Sequence, residues 1–131
     1  MVASAILVVE DDPDIRSALC ALLEVSGYEV ASAPDGSAAL SQLQDGRRPS
    51  VILLDLAMPV MNGNDFREAQ LSDPQLADIP VVVLSSDDRY RDTATALRAS
   101  AAVGKPFELE DLLATIERVA GNHERALASA G

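Results

Sequence analysis

The sequence predicts a doubly wound α/β sandwich, in which helices cover both faces of one parallel sheet. Two observations predict this fold class. Short apolar runs rich in β-branched residues alternate with helical patterns along the whole chain of 131 residues. The runs are also apolar throughout rather than at every second position, which is typical of strands buried on both faces. A strict alternation of strand and helix implies parallel strands joined by right-handed crossovers.

The predicted strands are the five apolar runs. The fifth is the weakest, because it has only three small apolar residues. The runs are AILVV at 5–9, YEVASA at 28–33, VILLDL at 51–56, VVVLSS at 81–86 and AAV at 101–103. Sites in such folds lie at the carboxyl ends of the strands, so polar residues that end these runs are the candidates for function.

The first helix has the clearest boundaries. Asp12 is the expected N-cap, Pro13 fits the first turn, and Gly27 ends the helix. Ile15, Leu19, Leu22 and Leu23 fall on one face of this helix. Cys20 lies in the same helix, and we expect it to be a packing residue.

The remaining helices are predicted from the spacing of their apolar residues. They are expected at 36–44, about 64–71, about 88–99 and 107–120. The apolar face of the last one is made by Leu109, Leu112, Leu113, Ile116 and Val119. We expect one domain over 1–120, a short tail over 121–131 and no output domain. His123 lies in this tail and is expected to be exposed to solvent.

The composition excludes several classes of function. Ten basic against 21 acidic residues give a net charge of −11, which disfavours nucleic acids and anionic membranes and favours cations. The single cysteine excludes an internal disulfide, and no Cys/His pair has the spacing of a zinc site. The chain has neither a membrane-spanning run nor a basic N-terminal targeting segment, so a cytoplasmic protein is expected.

An acid interrupts the most apolar strand, in the stretch VILLDLAMPVMNG. A buried carboxylate costs several kcal/mol unless a cation or hydrogen-bond donors meet it, so Asp55 needs a partner. Other strand ends supply polar groups at the same edge of the sheet. Glu10 and Asp11 follow the first strand, Ser85 ends the fourth, and Lys105, the only lysine, follows the fifth.

A cluster of carboxylates at this edge suits magnesium, a hard ion that prefers oxygen ligands. Without a cation, crowded carboxylates raise one another's pKa values. A purely structural interpretation is also open, because acids are favoured at the start of a helix. We prefer it for Asp12, and prefer the ligand interpretation for Glu10 and Asp11. Ser85 alone could simply end a strand, and Lys105 followed by proline could form an ordinary turn.

Four stretches in this order and at these separations resemble the receiver domain of two-component response regulators. They are ILVVEDD, VILLDLAMPVMNG, PVVVLSS and KPF, and the resemblance covers about residues 5–120. It implies a flavodoxin-like sheet with strand order 2-1-3-4-5. It also implies a protein that acts as a signalling switch rather than as an enzyme that converts a substrate repeatedly. Such a switch takes a phosphoryl group from a histidine kinase or a histidine phosphotransfer protein and then changes its contacts with a downstream protein, which the sequence does not identify.

The resemblance assigns roles to the acids. Asp55 matches the phosphoacceptor. Glu10 and Asp11 match the acidic pair that holds magnesium together with Asp55, and the backbone carbonyl of Ala57 matches a further metal ligand. The family also catalyses its own phosphorylation by small phosphodonors and its own later hydrolysis, so both activities are implied here.

The resemblance also covers the last two strands. Ser85 matches the switch hydroxyl, and Lys105 matches the family's lysine, with a cis peptide expected before Pro106. The chain departs from the family at Ala102. Family members usually have an aromatic residue at this position, and its ring turns inward when the switch hydroxyl engages the phosphoryl group. We therefore expect the loop at 86–89 to carry the switch, although Tyr90 could fill the same space.

Two other interpretations of the motifs are open. The first is an aspartate-nucleophile phosphohydrolase, a class that generally has a second acid two residues after the nucleophile. Ala57 occupies that position, which argues against it. The second is a degenerate receiver that only binds partners, and the complete set of acids, hydroxyl and lysine argues against that.

Overall fold

The computed structural model describes residues 5–55, 63–85, 95 and 98–130, with backbone alone for 63–64 and 122–130. Its five strands form one sheet in the order β2-β1-β3-β4-β5, and every pairing is parallel. The strands are β1 (Ala5–Val9), β2 (Glu29–Ala33), β3 (Val51–Asp55), β4 (Val81–Ser85) and β5 (Ala101–Gly104). The predicted fold class, strand order and strand positions are therefore confirmed.

Four helices lie within the described ranges. They are α1 (Pro13–Val25), α2 (Gly36–Gln44), α3 (Gly63–Ser72) and α4 (Leu109–Ala130). The helix expected at about 88–99 falls mostly outside the described residues and stays a prediction. The helix expected at 107–120 is α4, and ending it at 120 was wrong. Gly121 and Asn122 are typical of helix ends, but the backbone stays helical through both and on to Ala130.

Alternate residues of each inner strand enter two separate cores, one on each face of the sheet. In β1, Leu7 and Val9 pack under α2 and α3, whereas Ile6 and Val8 pack under α1 and α4. Both sets are almost fully buried. This arrangement explains why the strands are apolar throughout rather than at alternate positions.

The start of α1 follows the predicted capping pattern. The Asp12 carboxylate accepts hydrogen bonds from the backbone N–H of Asp14 at 2.8 Å and of Ile15 at 3.1 Å. Pro13 occupies the first turn, and Gly27 leaves the helix with φ of 102°. The side chain of Asp12 is thus committed to the helix end, as the structural interpretation expected.

The apolar face of α1 is buried only in part. Leu19 and Leu23 are buried, whereas Ile15 is 44% and Leu22 is 41% exposed. The helix packs over β2 and β1 and turns Cys20, which is half-buried, toward the core. Ile15 and Leu22 therefore lie on a side of α1 that its neighbours cover only in part.

A buried polar network ties α3 to two neighbouring segments. Gln70 is fully buried, and its amide nitrogen donates to the carbonyls of Leu76 at 2.9 Å and Ile79 at 3.0 Å. Its amide oxygen accepts from Arg67 at 2.7 Å, and Arg67 also donates to the carbonyl of Arg98 at 2.8 Å. The sequence gives no signal of this network, because polar residues on a helix ordinarily face solvent.

None of the helices in the described ranges combines the length and apolar character needed to cross a bilayer.

Candidate functional site

The predicted polar residues converge at the carboxyl edge of the sheet, the edge where the strands end. Asp55 is the last residue of β3 and Ser85 the last of β4, while Glu10 directly follows β1. All three are buried. Lys105 follows β5, and its backbone N–H donates to the Ser85 carbonyl at 2.8 Å, which continues the pairing of the two strands beyond their ends. The fold therefore brings together groups that are far apart in the sequence.

Lys105 is the cationic partner that Asp55 requires. Its Nζ donates to Asp55 Oδ2 at 2.9 Å and lies 3.9 Å from Glu10 Oε2. The Asp55 side chain is only 6% exposed, whereas that of Lys105 is 26% exposed. The peptide bond between Lys105 and Pro106 is cis, as expected. A buried carboxylate is thus held by an ammonium group that still reaches solvent.

The backbone of Glu10 is anchored on both sides. Its N–H donates to the Ala33 carbonyl at 3.1 Å, and its carbonyl accepts from Arg16 Nη1 at 2.9 Å. The role of Arg16 was missed in the sequence, since an arginine in the first turns of a helix gives no signal that it binds the preceding loop. These bonds fix the direction in which the Glu10 side chain enters the cluster.

The two carboxylate oxygens of Glu10 differ. Oε1 accepts a hydrogen bond from the backbone N–H of Asp12 at 3.2 Å. Oε2 is buried and has no hydrogen-bond partner among the described residues. A buried oxygen without a donor costs about 1–3 kcal/mol, so this atom calls for a proton or a cation.

The pKa of Glu10 is raised to about 8, first because the side chain is buried. The facing carboxylate of Asp55, which can share a proton with Glu10 and carries a like charge, raises the pKa further, while the Asp12 N–H and the Lys105 charge act in the opposite direction. Glu10 therefore holds a proton at neutral pH when no cation is bound. That proton satisfies the two facing carboxylates in the absence of metal.

The same three acids fit a metal ion. One carboxylate oxygen from each of Glu10, Asp11 and Asp55 lies within 4.8 Å of the others. The set contains only oxygen ligands, so the site suits a hard cation such as magnesium. The carbonyl of Ala57, the fourth predicted ligand, lies outside the described residues.

Comparison with known proteins gives a family. The model of the response regulator receiver domain matches residues 6–117. The transcriptional regulatory protein PrrA of Mycobacterium tuberculosis is 39% identical over 114 residues, which cover 86% of this chain and 48% of PrrA. The chain spans about half the length of the curated relatives it matches.

Solved structures give the same result for the fold. The chemotaxis protein CheY4 of Vibrio cholerae superposes with a TM-score of 0.82 at 34% identity, over 90% of this chain and 99% of CheY4. The response regulator TrrA of Thermotoga maritima, solved in complex with Mg²⁺ and BeF, gives a TM-score of 0.78 at 28% identity. That match covers 88% of this chain and 98% of TrrA. The sheet and the helices on both its faces are therefore those of receiver domains.

Proposed function

This chain belongs to the response regulator receiver domain family, and we propose that Asp55 is the phosphoacceptor of a two-component phosphorelay. The observation that carries the proposal is the Asp55 carboxylate itself. It is buried, its Oδ2 lies 2.9 Å from Lys105 Nζ, and Glu10 and Asp11 surround it with further oxygen ligands. Among the described residues, this is where a nucleophile, a cation and a candidate metal site coincide.

The reaction follows from this arrangement. A carboxylate oxygen of Asp55 attacks the phosphorus of a phosphohistidine, and the P–N bond breaks with its electron pair leaving on the imidazole. The product is an acyl phosphate on Asp55. Lys105 is close enough to neutralise charge on the transferring oxygens without moving far.

We assign the metal to the acidic group. Glu10, Asp11 and Asp55 are the proposed side-chain ligands of magnesium, and the backbone carbonyl of Ala57 is the proposed main-chain ligand. When bound, magnesium adds positive charge beside the phosphoryl oxygens. Its binding requires Glu10 to release its proton, because the protonated carboxyl group is a poor ligand.

Ser85 and the segment after it are the proposed switch. Ser85 ends β4 beside Gly104, next to Lys105, so its hydroxyl lies at the edge where the phosphoryl group forms. Ala102 is half-buried against the core under α2 and α3 and has no ring that could move. We therefore assign the conformational change to the loop at 86–89, which lies outside the described residues.

The proposed donor is a histidine kinase or a histidine phosphotransfer protein. Ile15 and Leu22 expose apolar surface on α1, which begins directly after Asp11 and Asp12. An apolar stripe next to the acceptor fits a partner that must bring its histidine to Asp55. We place this exchange in the cytoplasm. The downstream partner is a protein whose contacts change on phosphorylation; the acidic surface argues against nucleic acid or a membrane in that role.

The domain's own catalysis gives the direct test. Incubation with acetyl phosphate and magnesium should add one phosphoryl group, measured by intact mass, that survives acid and is lost in alkali. Asp55→Asn should abolish the labelling. Asp45→Asn, an exposed acid at the end of α2, is the matched control and should label like the wild type. Labelling that persists in Asp55→Asn would place the acceptor elsewhere. Slow loss of the label in buffer with magnesium would show autodephosphorylation.

A further inference from the structure

The short segment between β1 and α1 carries two of the three proposed side-chain ligands of the metal. Glu10 and Asp11 follow β1 directly, and α1 begins at Pro13. Glu10 is buried, and its backbone N–H donates to the Ala33 carbonyl at 3.1 Å. Asp11 is only half-buried, and among the described residues no hydrogen bond holds its carboxylate. The position of that carboxylate therefore depends on the backbone on either side of it.

Arg16 binds the backbone on both sides of Asp11. Its Nη1 donates to the carbonyl of Glu10 at 2.9 Å, and its own backbone N–H donates to the carbonyl of Asp12 at 2.9 Å. The bond to Asp12 is the ordinary first bond of a helix, made to the N-cap residue. The bond to Glu10 is not ordinary, because the side chain reaches back by six residues.

The two sides of Asp11 differ in how many other bonds support them. On the far side, the Asp12 N–H donates to Glu10 Oε1 at 3.2 Å, and the Asp12 carboxylate caps α1. On the near side, the carbonyl of Glu10 is held by the Arg16 guanidinium. Loss of the Arg16 side chain therefore frees the peptide group that joins Glu10 to Asp11.

We propose that Arg16 is a positioning residue for magnesium, a role that rests on the metal ligands assigned above. By holding the peptide between Glu10 and Asp11, it keeps oxygens of both side chains within 4.8 Å of each other and of an Asp55 oxygen. Groups that orient metal ligands commonly contribute about 10- to 100-fold to metal affinity. The guanidinium charge acts in the opposite direction, because it repels a nearby cation. The sign of the change on removing Arg16 therefore distinguishes its hydrogen bond from its charge.

The test is a titration of the metal-free full chain with magnesium chloride, followed by backbone amide chemical shifts at fixed pH and ionic strength. Arg16→Met removes the donor and the charge but keeps an unbranched side chain, and it should raise the Kd for magnesium about tenfold. Arg16→Lys keeps the charge and one donor on a shorter side chain, so it should recover part of this loss. Urea denaturation of each metal-free variant is measured as well, because a purely structural role would lower the free energy of unfolding and leave the Kd unchanged.

Arg47→Met is the matched control. It removes the same charge from an exposed arginine between α2 and β3, and should leave the Kd unchanged. An unchanged or lower Kd in Arg16→Met, or an Arg16→Lys variant that binds no better than Arg16→Met, would overturn the proposal and leave the metal site in place. A wild type without saturable magnesium shifts at Glu10 and Asp11 would overturn the assigned ligands and this proposal with them. A Kd that rises in Arg16→Met but not in Arg47→Met, and falls partway back in Arg16→Lys, would establish it.

Discussion

Two buried polar clusters in this protein differ in how completely their hydrogen bonds are made. At the carboxyl edge, Glu10 and Asp55 face each other, and Glu10 Oε2 has no hydrogen-bond partner among the described residues. On α3, Gln70 makes three hydrogen bonds, two to backbone carbonyls and one from Arg67. The first cluster leaves a place for a proton or a cation, whereas the second fixes the path of the chain.

This difference separates a cluster suited to function from one suited to structure. A buried polar group without a partner costs stability, so it is retained where a ligand completes it. A completed network stabilises the fold only while every member is present, because removal of one leaves the others buried without partners. Mutation should therefore affect the two clusters in opposite ways.

The largest expected effect is in the completed network. Gln70→Leu removes the donor to the Leu76 and Ile79 carbonyls and the acceptor of Arg67, and should lower the free energy of unfolding by about 3 kcal/mol. Urea denaturation measures this. The control is Gln42→Leu, which removes a single bond to the Ser32 carbonyl on the surface of the sheet and should cost only about 1 kcal/mol. If the free energy of unfolding falls equally in the two variants, the α3 network contributes no more to stability than a single hydrogen bond.

The next effect is in the incomplete cluster. Magnesium at one hundred times its Kd should stabilise the wild type by about 2.7 kcal/mol. Asp11→Ala should remove that gain and, by relieving repulsion, stabilise the metal-free protein. Thermal unfolding with and without magnesium measures both. Asp14→Ala, at an exposed acid in the first turn of α1, should keep the magnesium response. An unchanged magnesium response in Asp11→Ala would contradict the assigned ligands.

The smallest effect, taken per pH unit, is the pH dependence of the stability of the metal-free protein. The pKa of Glu10 is raised from 4.5 to about 8 on folding, so between these values the folded state holds a proton that the unfolded state has lost. Stability is therefore greatest below pH 4.5 for this group and falls as pH rises toward 8, by at most about 1.4 kcal/mol per pH unit. Glu10→Gln should flatten the dependence, measured by urea denaturation across this range. A wild-type curve that rises between pH 5 and 8 would contradict the assignment.

Much of the fold could be predicted because it depends on patterns among residues that are close together in the sequence. Apolar runs gave the strands to within one residue at the described ends, and Asp12, Pro13 and Gly27 marked the ends of α1. What could not be predicted depends on tertiary position. Ile15 and Leu22 share a helical face with Leu19 and Leu23, yet only the last two are buried, because burial depends on which elements pack against each residue.

The candidate site was predictable for a different reason. In a parallel sheet, residues at strand ends must meet, so the partnership of Asp55 with Lys105 followed from topology. The contact of Arg16 with the Glu10 carbonyl and the burial of Gln70 carried no such signal. Each depends on the rotamer of one long side chain, and sequence spacing does not specify rotamers.

The length of α4 has a mechanical consequence. At 1.5 Å per residue its 22 residues extend about 33 Å, roughly twice the length of a five-residue strand. The helix begins at Leu109, a few residues beyond Lys105. A tilt of about 10° at that end would move the far end by about 6 Å, given the rise per residue of a straight helix. A small change in the orientation of α4 at its start, close to Lys105 and Asp55, would therefore produce a much larger displacement at Ala130.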